Sequence, residues 1–241
     1  STRDSWIILR NTVGYNLIFI AVSLFMGLAV AILLDELSSK KGKRLYQMTY
    51  LIPYMISITV VSYIVYALLS TDTGFINNSI LIPLGKKGIS WYARPNYWPF
   101  ILVAVNQWKW LGYNSIIYYS SVIGIDSSYY EAATIDGATR FQRIRYITVP
   151  LIRSTIITMT LLQLGSIFRS DFGLFYQVPM NSGALLNATN TIDTYVYRGL
   201  ITLGDIGMSS AAGVYQSVVG FLLIMAANWL TRKYSNENAL F

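Results

Sequence analysis

The most chemically suggestive residues in this 241-residue sequence are amides and aromatic rings at helical spacing. Asn106, Gln107, Trp108, Lys109, Trp110, Tyr113, Asn114 and Tyr118 follow one another inside an otherwise apolar stretch. On a helix, Asn106, Lys109 or Trp110, Tyr113 or Asn114, and Ile117 or Tyr118 fall near one face. Amides pair with hydroxyls both as donors and as acceptors, and Trp and Tyr rings stack on C–H faces, so this face suits a sugar-like solute. Packing between helices explains any single one of these residues equally well. A second polar group, Gln163, Ser166, Phe168, Arg169 and Asp171, closes another apolar run. Lys109 and Arg169 leave room for an acidic saccharide, because a buried cation is stabilised by a carboxylate. Against that, Arg169 and Asp171 can pair with each other, and Lys109 can snorkel. Conventional catalytic sets are missing. Without His there is no general base near neutral pH, and without Cys there is no thiolate, disulfide frame or usual zinc site.

The elements that must carry these residues are membrane spans. The chain is 54% hydrophobic and only 12% charged, and its apolar runs are too long for a soluble core. A hydrocarbon layer of about 30 Å needs roughly 20 apolar residues in a helix. Five such runs are expected, at about Val13–Leu34, Tyr46–Leu69 with a tolerated kink near Pro53, Tyr97–Gly124, Val149–Phe168 and Ile206–Leu230. No alternating ten-residue strands support a barrel, so the fold class is all-α, a polytopic helical membrane protein forming a single domain over residues 1–241. Phe75–Leu84, closed by Pro83 and Gly85, reads as an interfacial helix, and Trp91, Tyr92, Tyr97 and Trp98 read as an aromatic belt. The Gly-, Asn- and Thr-rich stretch from Asp171 to Asp205 reads as an external or partly re-entrant loop.

The net charge of +7 belongs to short clusters between spans, which mark topology and give no sign of nucleic acid binding. Lys40, Lys41, Lys43, Arg44, Arg140, Arg143, Arg145, Arg153, Arg232 and Lys233 fall on one side. Arg3, Arg10, Lys86, Lys87, Arg94, Arg169 and Arg198 are spread over longer segments on the other. The first side is expected to be cytoplasmic. The chain opens at Ser1 without Met or a signal-peptide pattern, and it is expected to be a fragment with one more span upstream.

The stretch from Asp126 to Val149 is long and patterned for a link between spans. Tyr130–Asp136 has good helix formers, Gly137 supplies a break, and Ala138–Tyr146 resumes helical spacing through Phe141 and Ile144. Pro150 then opens the next span at a first-turn position. A short helix, a turn and a second short helix would make a rigid knob on the cytoplasmic face.

Glu131-Ala132-Ala133, Asp136-Gly137-Ala138 and Ile147-Thr148-Val149-Pro150-Leu151 resemble the EAA signature of permease subunits of binding-protein-dependent ABC importers. The resemblance extends through Trp110-Leu111-Gly112-Tyr113 and Ile123-Gly124-Ile125-Asp126 to Gly207-Met208-Ser209-Ser210-Ala211-Ala212, and it looks closest to the maltose-type and polysaccharide-type carbohydrate branch. It implies a type I importer transmembrane-domain fold in a bacterial cytoplasmic membrane. It also implies a homologous second permease, two cytoplasmic ATPase subunits, an extracellular solute-binding protein and a saccharide substrate. Segment 126–149 would then seat in a socket on the ATPase. Glu131 and Asp136 would meet polar or basic groups, Ala132, Ala133 and Ala138 would allow close approach, Gly137 would permit the turn, Phe141 would anchor, and Arg140 would contact acidic groups or headgroups. Neither Gly42-Lys43-Arg44 nor Gly85-Lys86-Lys87 continues as a phosphate loop, so no cofactor is expected in this chain, and ATP and Mg would be bound by the partner ATPases. In maltose-type permeases the stretch corresponding to Gln163–Asp171 contacts sugar, but their Asn-rich run is absent here. A passive channel or secondary carrier would not require the knob, and a membrane-embedded enzyme would need carboxylates closer in sequence than Asp171, Asp193 and Asp205. The small residues Gly27, Ser209, Ser210, Ala211, Ala212 and Gly213 are expected to permit close helix approach.

Overall fold

The computed structural model describes the backbone of residues 2–204 and 206–234. Ser1, Asp205 and residues 235–241 lie outside the described residues, as do the side chains of Thr2, Arg3, Thr202, Leu203, Leu230, Lys233 and Tyr234. These include the carboxylate of Asp205 and the charges of Arg3 and Lys233. Every regular element among the described residues is helical.

The order is α1 (Thr2–Glu36), α2 (Lys40–Met55), α3 (Ile58–Leu69), α4 (Trp98–Ile123), α5 (Ser127–Ile135), α6 (Arg140–Arg143), α7 (Val149–Leu151), α8 (Arg153–Gly165), α9 (Leu186–Thr189), α10 (Ile192–Arg198) and α11 (Ile206–Tyr234). Asp4–Glu36 and Ile206–Trp229 are each long and apolar enough to cross a membrane unbroken. Two further crossings exist if each of two bent helix pairs is one span. At 26 residues α4 would rise about 39 Å, enough to cross, although Asn106, Gln107, Lys109 and Asn114 interrupt its apolar sequence.

The expected second span is broken rather than gently kinked. α2 and α3 meet at 95°. Pro53 lies inside α2 and withholds a backbone donor from its last turn. Ser57 then adopts an extended conformation (φ −62°, ψ 147°), and its hydroxyl accepts the amide of Val60, starting a new helix. The fourth span also departs from expectation. α6, a wide π-type turn at Ile144–Thr148 and α7 join into one rod, Arg140–Leu151, which meets α8 at 60°. The break falls at Ile152 (φ −93°, ψ 7°), two residues after Pro150. The second helix of the knob is thus the first limb of the bent pair and not a separate short helix.

The chain's contacts fall into two compact units. Unit 1 comprises Ser1–Phe19, Ile56–Asn106 and Ser166–Phe221. Its core joins Tyr15, Phe19, Val61, Val65, Leu69, Trp98, Leu102, Leu174 and Phe175, with the Tyr15 and Phe175 rings edge-on at 4.9 Å. The stretch expected to be an external or partly re-entrant loop is folded over residues 171–204, and several of its side chains are buried here. It coils through Gly173–Gln177, α9 and α10, and Leu174, Val178, Leu185 and Thr194 are withdrawn from solvent. Its Gly, Asn and Thr residues form turns and caps, such as the reciprocal Thr191–Thr194 capping box. Trp98 is fully buried and so is not part of a lipid-facing belt. Phe75–Leu84 contains the short helix Ile76–Leu81, closed at Gly85 (φ +72°). The buried amide of Asn77 ties this helix to the next segment. It donates to the carbonyls of Thr71 and Ile89 and accepts from the amide of Ile89 and the indole of Trp91.

Unit 2 comprises Ile20–Met55, Gln107–Gly165 and Leu222–Phe241. Its helices approach closely. A Cβ at Gly27 would sit 3.2 Å from the Tyr118 ring, and one at Gly112 would land on the carbonyl of Tyr50. Gly165 presses on Ile224 in the same way. Gly213, in unit 1, faces open space, so among the described residues this glycine serves no close approach.

Candidate functional site

The knob is built by local rules that fix its shape. Asp126 starts α5, its carboxylate accepting the backbone amide of Ser128 at 2.9 Å. That amide holds the Asp126 carboxyl below the usual carboxylate range. A depressed pKa stabilises the fold above the unfolded value and loses that stabilisation as pH falls through the folded one. The start of α5 should therefore stay intact at neutral pH and loosen only in acid. Asp126→Ala should loosen it at every pH and Asp126→Asn at none, as read by proteolysis of the assembled protein.

At its other end α5 closes in a Schellman turn. The amide of Ala138 donates to the carbonyl of Ala133 at 2.9 Å, that of Gly137 donates to the carbonyl of Thr134 at 3.1 Å, and Gly137 takes φ +77°. The Glu-Ala-Ala and Asp-Gly-Ala elements are the two ends of this one turn, which accounts for their spacing. Thr139 and Gln142 then form a capping box that starts α6. Two side-chain bonds clamp the helices together, Arg143 Nη1 to Thr134 Oγ1 at 3.2 Å and the paired hydroxyls of Tyr130 and Thr148 at 2.9 Å.

On this frame Glu131, Ala132, Asp136, Gly137, Arg140 and Phe141 are exposed, and Ala133 and Ala138 are half-buried. Arg140 Nη1 lies 3.7 Å from Glu36 Oε2 and is otherwise largely open, so this pair contributes little to stability. Ile135, which sequence reasoning passed over, is 87% exposed, and Phe141 is 68% exposed. The signal for Ile135 was its place four residues after Glu131 on the same solvent-facing side of α5. A cavity of about 250 Å³ separates Asp35, Glu36 and Ser38 from Tyr130, Arg143 and Thr148.

The expected pathway residues divide between the two units. In unit 2, Asn114 and Tyr118 are buried, Tyr118 against Gly27, and Gln163 is half-buried. Trp108 and Tyr113 remain well exposed. Tyr113 stacks on Tyr54 (5.0 Å, 16°), and Trp110 meets both rings edge-on, forming an aromatic cluster in which Tyr54 had not been foreseen. Lys109 Nζ reaches the carbonyls of Tyr54 (3.3 Å) and Pro53 (3.5 Å), at the end of α2 where the broken span leaves backbone acceptors without helical donors. Gln107, beside it, exchanges hydrogen bonds with Ser23.

In unit 1, Asn106 is buried, Phe168 is half-buried against Tyr215, and Ser166 and Arg169 are exposed. Asp171 makes no ion pair with Arg169 within 4.0 Å. Its carboxylate accepts the amide of Leu174 at 3.1 Å. Asp193, weighed earlier only as an isolated carboxylate, accepts the amide and hydroxyl of Ser170 and the side-chain amide of Gln216, tying segment 168–170 to α10 and α11.

Residues 20–236 match the family described as binding-protein-dependent transport system inner membrane component. Protein LplB of Bacillus subtilis is 34% identical over 97% of this chain and 73% of its own length. The polygalacturonan/rhamnogalacturonan transport system permease protein YteP of the same organism is 31% identical over 96% and 71%. Among solved structures, a bacterial ABC transporter involved in import of the acidic polysaccharide alginate superposes with a TM-score of 0.85 at 29% identity, covering 93% of this chain and 79% of that one. The all-helical architecture, with its knob and bent spans, is the type I importer permease fold. The chain belongs to the family of binding-protein-dependent transport system inner membrane components and is a membrane permease subunit of an ABC importer.

Proposed function

We propose that this chain forms half of the pathway for an acidic oligosaccharide, paired with a homologous permease in a bacterial cytoplasmic membrane. Two ATPase subunits bind ATP and Mg and grip segment 126–149. An extracellular solute-binding protein delivers the sugar, and ATP-driven closure alternates access between the two sides. The chain itself catalyses nothing. The observation that carries the reading is the match, over nearly the whole chain, to a transporter of the acidic polysaccharide alginate, with a relative named for polygalacturonan beside it. Two features of the molecule support it. The Tyr54, Trp110 and Tyr113 cluster offers rings on which sugar C–H faces stack, and Arg169 is an exposed residue while the Asp171 carboxylate accepts the amide of Leu174.

The test is uptake into proteoliposomes containing the full importer with its binding protein. Charged uronate oligosaccharides should stimulate ATP hydrolysis and enter, whereas neutral ones of equal length should do so weakly; the reverse preference would refute the substrate class. Arg169→Gln should depress uptake of acidic sugars by about tenfold, as expected for loss of a charge-assisted hydrogen bond, with less effect on any residual neutral uptake. Lys109→Met should depress both alike, because its ammonium supports the broken end of α2. A selective loss of acidic uptake in that variant would assign Lys109 to the solute instead.

A further inference from the structure

A cavity of about 410 Å³ in unit 1, apart from the pathway residues and from the knob, is lined by Arg10, Gly14, Ile18, Asn96, Pro99 and Asn187, among others. Arg10, Gly14 and Ile18 follow at four-residue intervals along one side of α1, so the groove runs from a guanidinium to an aliphatic side chain. Its polar end is rigidly built. The Oδ1 of Asn11, a residue only 4% exposed, accepts from Nε (3.2 Å) and Nη2 (2.9 Å) of Arg10, and Nη2 also donates to the carbonyl of Asn187 at 2.9 Å. Asn11 is held in turn by the carbonyls of Asn187 and Asn190. No hydrogen bond engages Nη1, and among the described residues no carboxylate pairs with Arg10. The guanidinium is thus oriented by neutral groups, with no carboxylate among the described residues paired to its charge.

The depth is also informative. Arg10 precedes the start of the apolar run at Val13 by three residues, about 4.5 Å along the helix, which places it in the headgroup layer and Ile18 in the hydrocarbon. Ile18 is 46% exposed, and a Cβ at Gly14 would meet nothing within 4 Å. We propose that this groove holds one membrane phospholipid. Its phosphate diester accepts from the free edge of Arg10, and an acyl chain runs past Gly14 and Ile18. The site does not depend on which solute the importer carries.

Native mass spectrometry of the intact importer, released from membranes in mild detergent, tests this directly. The wild type should retain one phospholipid per copy of this permease, and Arg10→Gln should lower the retained fraction by about fivefold, as loss of one basic contact near a headgroup predicts. Gly14→Leu fills open space and leaves Arg10 intact, so it should fold normally and still expel the lipid. Absence of retained lipid in the wild type would overturn the proposal in favour of a polypeptide occupant. Release by millimolar inorganic phosphate, with no effect of Gly14→Leu, would reduce the site to a free-anion site. Weakened docking of the binding protein in Arg10→Gln with lipid retention unchanged would reassign the groove to that partner.

Discussion

Gly112→Ala is expected to destabilise the permease and abolish most transport, although it adds a single methyl group. The methyl would fall on the carbonyl of Tyr50, where the backbones of α4 and α2 cross. Because the obstacle is main chain, no rotamer change relieves it and one of the helices must move. Overpacking of this kind costs about 1–3 kcal/mol. The displacement would also spread to Tyr54, Trp110 and Tyr113, whose stacking depends on the same crossing, and to the carbonyls that Lys109 reaches. Thermal unfolding of the purified importer and uptake by proteoliposomes should both fall. Gly213→Ala, which meets nothing within 4 Å, should change neither. Equal behaviour of the two variants would mean that the α2–α4 crossing is looser than the structure shows.

That contrast also shows what could be read without coordinates. Run length and charge placement located α11 to within its last turn and the apolar part of α1 from Val13 on, because lipid-facing backbone must satisfy itself within a helix and each residue contributes independently to apolarity; the more polar first turns of α1, Thr2–Thr12, carried no such signal. The break between α2 and α3 was not legible from Pro53, since a proline permits a bend without setting its size. The new helix start capped by Ser57 and the carbonyls of Pro53 and Tyr54 reached by Lys109, from a distant part of the chain, are not written in that proline. Segment 171–205 misled for a related reason. Gly, Asn and Thr are read locally as turn formers, but here they cap short helices whose apolar residues complete the core around Phe175. The knob was the most readable part, because a Schellman turn and a capping box are short-range devices that the order of residues specifies. The Tyr54 half of the aromatic cluster escaped notice because it comes from a different helix.

Within the knob, Ile135→Asp should uncouple ATP hydrolysis from uptake more severely than any change to the neighbouring charges. At 87% exposure Ile135 touches little of its own chain, so the substitution leaves the fold intact, and any loss reports a partner surface. A desolvated aliphatic anchor at an interface contributes about 2 kcal/mol or more, so uptake should drop by roughly thirtyfold while the subunit still inserts and assembles. Glu131→Arg reverses an exposed charge on the same side of α5 and should act in the same direction, less steeply. Gly137→Pro works by geometry, since a proline cannot adopt φ +77°, and it should unlock the turn that sets the two helices against each other. The decisive measurement is the ratio of sugar imported to ATP hydrolysed, taken with saturating loaded binding protein. A fall in that ratio for all three variants places the knob in the power stroke. Undiminished import by Ile135→Asp and Glu131→Arg would leave the knob a mere tether between spans.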